Sequence, residues 1–198
     1  FPTRRSSDLV VSSVLAVARQ QGKTPVVVRD VAGFFVNRIL APYLNEAATL
    51  LLEGETISSV DQALLQAGFP VGPLALLDEV GLEVAAKIGP ILEAAYGARF
   101  SPCRVLPCML ADGRKGRKSR LGFYRYPIKG TKVADHRLYD VLNTQPKKQL
   151  PANLIQDRCQ LLMLNEAVRC LDEQVVACAR DGDLAAVLGL GYPPFEGG

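Results

Sequence analysis

The sequence predicts an all-α protein built from two tandem copies of one helical unit, with a short extended connector ahead of the first. Three observations carry this reading. Apolar residues recur at helical spacing through most of the chain, while alternating or β-branched runs are brief. A long helix, a short helix and a glycine–aromatic–proline turn occur twice, in the same order. Units that recur like this bury their apolar faces against each other.

Residues 10–21 carry apolar side chains at 10, 11, 14, 15, 17 and 18, which is helical spacing, and Gly22 stops the helix. Thr24-Pro25-Val26-Val27-Val28 is a short β-branched run, a strand or an extended connector. Residues 29–33 turn into the next helix, and Gly33 tolerates the positive φ that a tight approach requires. Residues 34–53 are apolar at 35, 36, 39, 40, 43, 44, 47, 48, 50, 51 and 52. So wide an apolar surface predicts a central helix buried on several sides. Pro42 should kink it or mark its first break, and Gly54 ends it.

Ser58 and Ser59 open a short helix over residues 60–67, and Gly68 closes it. Phe69-Pro70-Val71-Gly72-Pro73 is a rigid turn. Helices are expected over 74–80, 82–96 and 103–110, and an extended strand over 122–126. Residues 127–150 are polar and lysine-rich, a linker with one helical turn at 137–142. Pro151 starts the last major helix, whose apolar face includes Leu154, Ile155, Leu161, Leu162, Leu164, Val168 and Leu171. A short helix over 183–188 leads into Gly189-Leu190-Gly191-Tyr192-Pro193-Pro194.

The recurrence is specific in its spacing. Leu44-Asn45-Glu46-Ala47 returns 120 residues later as Leu164-Asn165-Glu166-Ala167, and Asn37-Arg38 matches Asp157-Arg158 at the same offset. Gly68-Phe69-Pro70 answers to Gly191-Tyr192-Pro193, each after a short helix containing an acid, Asp61 or Asp183. Placed alike in both units, Asn45-Glu46 and Asn165-Glu166 read as hydrogen bonds between the packed units rather than as paired catalysts.

The chain has 198 residues, 48% of them hydrophobic, enough for a packed core, and its formal net charge is only +3. That balance does not point to a nucleic-acid partner, and no apolar run is long enough for a membrane span. Five cysteines, 103, 108, 159, 170 and 178, form no Cys-x-x-Cys pair. They read as reduced thiols of a cytoplasmic protein, not as a metal site. Residues 1–9 show no apolar period and match what one frame of a sequencing adapter would encode, so they are expected to be non-native. Native sequence is expected to begin near Val10, in mid-helix, and the second unit to be truncated at its end.

Several stretches together resemble the 3-hydroxyacyl-CoA dehydrogenases. They are Gly22-Lys23-Thr24-Pro25-Val26-Val27-Val28; Gly33-Phe34-Phe35-Val36-Asn37-Arg38-Ile39-Leu40-Ala41-Pro42-Tyr43; Gly68-Phe69-Pro70-Val71-Gly72-Pro73; Leu77-Asp78-Glu79-Val80-Gly81; and Gly122-Phe123-Tyr124. The doubled helical unit and the segment 161–174 are most similar to the bacterial, anaerobic-type multifunctional fatty-acid oxidation alpha subunit. The resemblance implies a fold like the C-terminal part of 6-phosphogluconate dehydrogenase. It divides the chain into the end of an NAD-binding domain (10–28), a first helical domain (29–126), a linker (127–150) and a second, truncated copy (151–198). It further implies NAD-dependent oxidation of 3-hydroxyacyl-CoA to 3-ketoacyl-CoA in fatty-acid β-oxidation. An enoyl-CoA hydratase (lyase) activity in the same protein and a thiolase beta subunit as partner are implied too.

By the same resemblance the catalytic His–Glu pair and the NAD site lie upstream, so this chain alone should be inactive and bind no cofactor or metal. A Gly-x-Gly-x-x-Gly fingerprint is missing, and Gly189-Leu190-Gly191 runs into prolines where a helix should start. His136, the only histidine, lies in the polar stretch and matches no motif. Asn37 corresponds to the substrate-contacting asparagine. Its amide both donates and accepts, which suits an oxygen that is a hydroxyl before oxidation and a carbonyl after it. The structural alternative is a helix-start residue bonding nearby backbone. Arg114, Lys115, Arg117, Lys118 and Arg120 could draw CoA phosphates or nucleic acid, but read more simply as a solvated loop. The family usually has glycine where Arg120 stands, so a different turn is expected here. Two other readings stay open: a non-catalytic helical interaction module, and a nucleic-acid binder with steep salt dependence.

Overall fold

The computed structural model describes residues 8–147 and 150–197; of the segment 1–9 expected to be non-native, residues 1–7 lie outside them, while Asp8 and Leu9 begin the first helix. Nine helices dominate the described residues: α1 (Asp8–Gln20), α2 (Val36–Leu52), α3 (Ile57–Gln66), α4 (Pro73–Val80), α5 (Leu82–Tyr96), α6 (Val105–Ala111), α7 (Arg137–Leu142), α8 (Ala152–Asp172) and α9 (Ala179–Leu190). One antiparallel pair of two-residue strands, β1 (Tyr124–Arg125) and β2 (Val133–Ala134), joins them. The fold class is helical, as expected. None of the helices is long and apolar enough to cross a membrane.

The central helix is α2. Ile39, Tyr43, Ala47, Ala48, Leu50 and Leu51 on it are buried, so its wide apolar surface is covered on several sides. It runs unbroken through Pro42, because burial around the helix outweighs one lost backbone hydrogen bond. Its most extensive partner is α8. The two helices exchange ion pairs reciprocally. Arg38 Nε donates to Glu166 Oε1 at 2.7 Å and Nη1 to Glu173 Oε2 at 2.7 Å. Arg158 Nε donates to Glu46 Oε1 at 2.7 Å and Nη1 to Glu53 Oε2 at 2.6 Å. Each residue of one set stands 120 positions from its counterpart in the other.

The two glycine–aromatic–proline turns meet as well. Phe69 and Tyr192 pack edge to face with centroids 5.6 Å apart. A Cβ on Gly68 would fall 3.2 Å from Pro193 Cβ, and one on Gly191 would fall 2.7 Å from Pro70 Cγ. Both glycines have positive φ, +99° and +79°, so conformation and space exclude other residues there.

Several boundaries differ from the sequence reading. Helix α3 starts at Ile57, capped by Thr56, whose hydroxyl accepts from Ser59 N at 3.0 Å; Ser58 and Ser59 are its first turn, not its cap. Helix α9 starts at Ala179 rather than 183. Its first turn, with Arg180, Asp181 and Gly182, has no apolar period, and Gly182 packs under Phe35. The stretch 127–150 is more than a polar linker. It supplies β2 and α7, and Leu138, Tyr139 and Leu142 join the core. The Tyr139 hydroxyl accepts the Ile57 N–H at 2.9 Å. The helical turn expected at 137–142 is present as α7, and its main packing partner is α6.

Candidate functional site

Asn37 is the second residue of α2 and is exposed. No hydrogen bond of its side chain is found among the described residues, so the amide does not bond nearby backbone as a helix-start residue would. Its pedestal is tightly built. Phe34, at φ +50°, and Gly33, at φ +75°, turn the chain into the helix. A Cβ on Gly33 would meet Leu92 Cδ2 at 2.9 Å and Arg38 N at 3.2 Å, so glycine lets the turn close onto α5. The Tyr96 hydroxyl donates to Ala32 O at 2.9 Å.

Arg38 follows Asn37 and is fully buried. Its guanidinium holds Glu166 and Glu173 on α8 and lies 4.1 Å from the centre of the Tyr96 ring. Burial alone would weaken its hold on the proton. The hydrogen bonds to Glu173 and Glu166 outweigh that and raise it, so Arg38 stays charged. Arg99 joins the cluster, 3.2 Å from Glu166 Oε2 and 3.5 Å from Glu173 Oε1.

Beside Asn37 lies a largely apolar cavity of about 230 Å³ between α2 and the helices α4, α5 and α6. Leu40, Ala41, Leu44, Ala85, Ile88 and Leu106 are among its lining, and exposed Asn37 and Arg99 stand at its rim. Apolar walls with few polar groups at the opening suit an apolar chain with a polar head. Cys103 also lines it, but burial pushes its thiol up, away from thiolate chemistry. Tyr192 lines a different cavity, between α8, α9 and Phe35, so the second glycine–aromatic–proline turn does not reach the one beside Asn37.

The remaining motifs prove to be structural. Asp78 accepts from the backbone N–H groups of Phe123 and Tyr124, both at 3.0 Å, and from the Tyr126 hydroxyl at 3.0 Å. Burial pushes its carboxyl up to about 6 against those hydrogen bonds. Asp61 accepts the Leu74 and Ala75 N–H groups at the start of α4, at 2.8 and 3.1 Å, and the Tyr124 hydroxyl at 2.6 Å. Burial raises its carboxyl too. Gly122 and Gly72 are obligatory beside these carboxylates: a Cβ would fall 1.8 Å from Asp78 Oδ1 and 2.3 Å from Asp61 Cγ. The Leu77-Asp78-Glu79-Val80-Gly81 and Gly122-Phe123-Tyr124 motifs are therefore two halves of one buried junction.

The basic stretch is not a solvated loop throughout. The Arg114 side chain is 3% exposed, paired with Asp112 and Asp135 at 2.7 Å each. Lys115 pairs with Glu83 at 3.0 Å, and Arg117 with Glu79. Sequence could not show this, because the acids come from α5, α4 and beyond α6. Arg120 has φ +61°, a conformation glycine enters at less cost, which fits the glycine expected at that point. His136 is exposed at the start of α7, its ring 6.0 Å from that of Tyr139, and it is not among the residues lining the cavity beside Asn37.

Of the two Asn-Glu pairs, Glu46 and Glu166 bond between α2 and α8. Asn45 instead bonds locally, accepting from Cys103 N at 2.8 Å, and Asn165 is exposed. All five cysteines are free, and burial lifts Cys159 to about 12 and Cys170 to about 11. No group of three His, Cys, Asp or Glu side chains is placed to hold a metal among the described residues. Neither Tyr96 nor Arg99 belongs to any motif. They are found only because α5 folds back over α2.

Residues 33–126 match the family model of the 3-hydroxyacyl-CoA dehydrogenase C-terminal domain. A (S)-3-hydroxybutyryl-CoA dehydrogenase from Ralstonia eutropha is 35% identical, with TM-score 0.60, over 63% of this chain and 45% of its own. A 3-hydroxybutyryl-CoA dehydrogenase from Escherichia coli K12 shares the fold: TM-score 0.75 over 96% of this chain and 57% of its own, at 23% identity. So does the dehydrogenase part of multifunctional enzyme 1 from C. elegans, with TM-score 0.70 over 96% of this chain and 44% of its own, at 24% identity. The chain thus spans 44 to 57% of the length of these proteins.

Proposed function

We propose, from the match of residues 33–126 to the 3-hydroxyacyl-CoA dehydrogenase C-terminal domain model, that this chain is the substrate-side, helical part of such an oxidoreductase. The complete protein oxidises 3-hydroxyacyl-CoA to 3-ketoacyl-CoA, with NAD as hydride acceptor, in fatty-acid β-oxidation. In this chain Asn37 holds the substrate oxygen by hydrogen bonds, and the apolar cavity beside it receives part of the acyl chain. The observation that carries the reading is an exposed amide with no hydrogen-bond partner among the described residues, fixed on a rigid turn at the rim of an apolar cavity.

The proton-accepting base and the dinucleotide site belong to other parts of the complete protein. Among the described residues the sheet is one antiparallel pair of two-residue strands, which supports placing the pyrophosphate-binding strand–glycine turn–helix elsewhere in the complete protein. What this chain contributes is orientation. A neutral amide can follow the oxygen from hydroxyl to carbonyl without a change of charge.

The reciprocal ion pairs at an offset of 120 support reading residues 151–198 as a second copy of the same helical unit. That doubling favours a multifunctional alpha subunit, with an enoyl-CoA hydratase in the same cytoplasmic protein and a thiolase as its partner. Asn37→Ala in the complete protein should lower kcat/KM about a hundredfold, the cost of removing one preorganised hydrogen-bond donor. Thermal stability should be unchanged. The 198-residue chain alone should produce no NADH from 3-hydroxybutyryl-CoA and NAD. Unchanged kinetics in Asn37→Ala, or turnover by this chain alone, would refute the proposal.

A further inference from the structure

We infer that Glu166 and Glu173, on α8, are positioning residues for Asn37 and act through Arg38. The inference rests on the reading of Asn37 as the substrate-facing amide, and it gives the second helical unit a role in the reaction beyond assembly.

The second unit grips every part of the segment that presents Asn37. Before the turn, Arg29 N donates to Val175 O at 2.8 Å, and Val28 bridges Val176. The Arg29 side chain reaches Glu173 O at 3.3 Å. After the turn, Arg38 is bound to Glu166 and Glu173 at 2.7 Å each. Asn37 sits between these anchors, in the first turn of α2. That turn has no side-chain cap to hold it, so its orientation depends on what binds Arg38.

Electrostatics make the grip directional. Arg38 is fully buried and Glu166 nearly so, and a buried charge follows its partner because separation would leave it unpaired. The planar guanidinium fork fixes both distance and angle. Arg99 ties the same two carboxylates to the cavity rim. The carboxylates of α8 therefore set where the first turn of α2 stands relative to the cavity.

The reciprocal pair offers an internal control. Glu46 binds Arg158 with the same atoms and the same 2.7 Å hydrogen bond as Glu166 binds Arg38. It does so at the other end of the pairing, where no substrate amide stands.

The test uses the complete dehydrogenase carrying this chain. Glu166→Gln keeps the shape and one acceptor but loses the charge, and should lower kcat roughly tenfold while KM changes little, as expected for a misplaced orienting group. Glu46→Gln, at the wetter end, should lower the melting temperature less and leave kcat within about twofold, as for a site independent of the chemistry. In the Asn37→Ala background, Glu166→Gln should cost no further kcat. If Glu166→Gln does not fold, the half-exposed Glu173→Gln carries the same comparison with a smaller loss, roughly threefold. A Glu166→Gln loss equal to that of Glu46→Gln, or one that persists in full without Asn37, would overturn the inference and leave the reading of Asn37 intact. Unchanged kinetics in Asn37→Ala alone would fell both.

Discussion

At one end of the pairing between α2 and α8, Arg38 is wholly inside the protein, with two carboxylates beneath it and the Tyr96 ring over it. At the other, Arg158 makes the same bonds to Glu46 and Glu53 with its side chain 28% exposed and no ring beside it among the contacts of the described residues. The two arginines stand 120 positions apart, as do their glutamates, and the Nε and Nη1 bonds use the same atoms. What differs is the covering element: α5 folds its last turn, with Tyr96, over Arg38. Equal hydrogen-bond geometry therefore carries unequal energetic weight. Water still competes for Arg158, whereas Arg38 has nothing to fall back on if its carboxylates are removed. The dry end is also the end that presents Asn37.

Arginine substitutions test this contrast most strongly. Arg38→Ala should destabilise the protein by about 3 kcal/mol in urea titration, since it strands the nearly buried Glu166 with only Arg99 beside it. Arg158→Ala should cost about 1 kcal/mol or less, a loss that shrinks further in high salt. Equal losses would break the comparison. A smaller effect, about 1 kcal/mol, is expected of Tyr96→Leu, which removes the cation–π contact and the bond to Ala32 O. In an Arg38→Met background most of that effect should vanish.

The pH response sharpens the comparison least but gives its sign. Arg38, by hydrogen bond and charge, holds the Glu173 carboxyl below its ordinary value of 4.5. A carboxyl depressed in the folded state contributes stability that is present above its unfolded pKa and lost as pH falls through its folded one. Acid titration of the wild type should therefore show a loss of stability as pH falls below about 4.5, and Glu173→Gln should make that loss smaller. A Glu173→Gln curve that parallels the wild type would show the carboxylate to be idle.

Much of the fold is legible in the sequence because local periodicity and chain breakers act within a few residues. Apolar spacing located α1, α2, α5 and α8 within a few positions, and Gly22, Gly54 and Gly97 closed three of those helices. The spacing of 120 between Asn37-Arg38 and Asp157-Arg158 already marked the positions whose arginines face the opposite glutamates. Asn37 could be singled out from its motif. Its lack of any competing partner could not, because that depends on how the turn at Gly33 closes against Leu92.

The sequence by itself thus determined where most helices run, because helix propensity and apolar period are short-range properties. Only tertiary structure decided which charges are buried. Arg114 sits in a basic run yet is sealed between Asp112 and Asp135, and Arg38 and Arg158 part company through one ring from α5. Desolvation depends on what lies across space, and the groups that exclude water from Arg38 are separated from it by 58 residues at Tyr96 and 128 at Glu166.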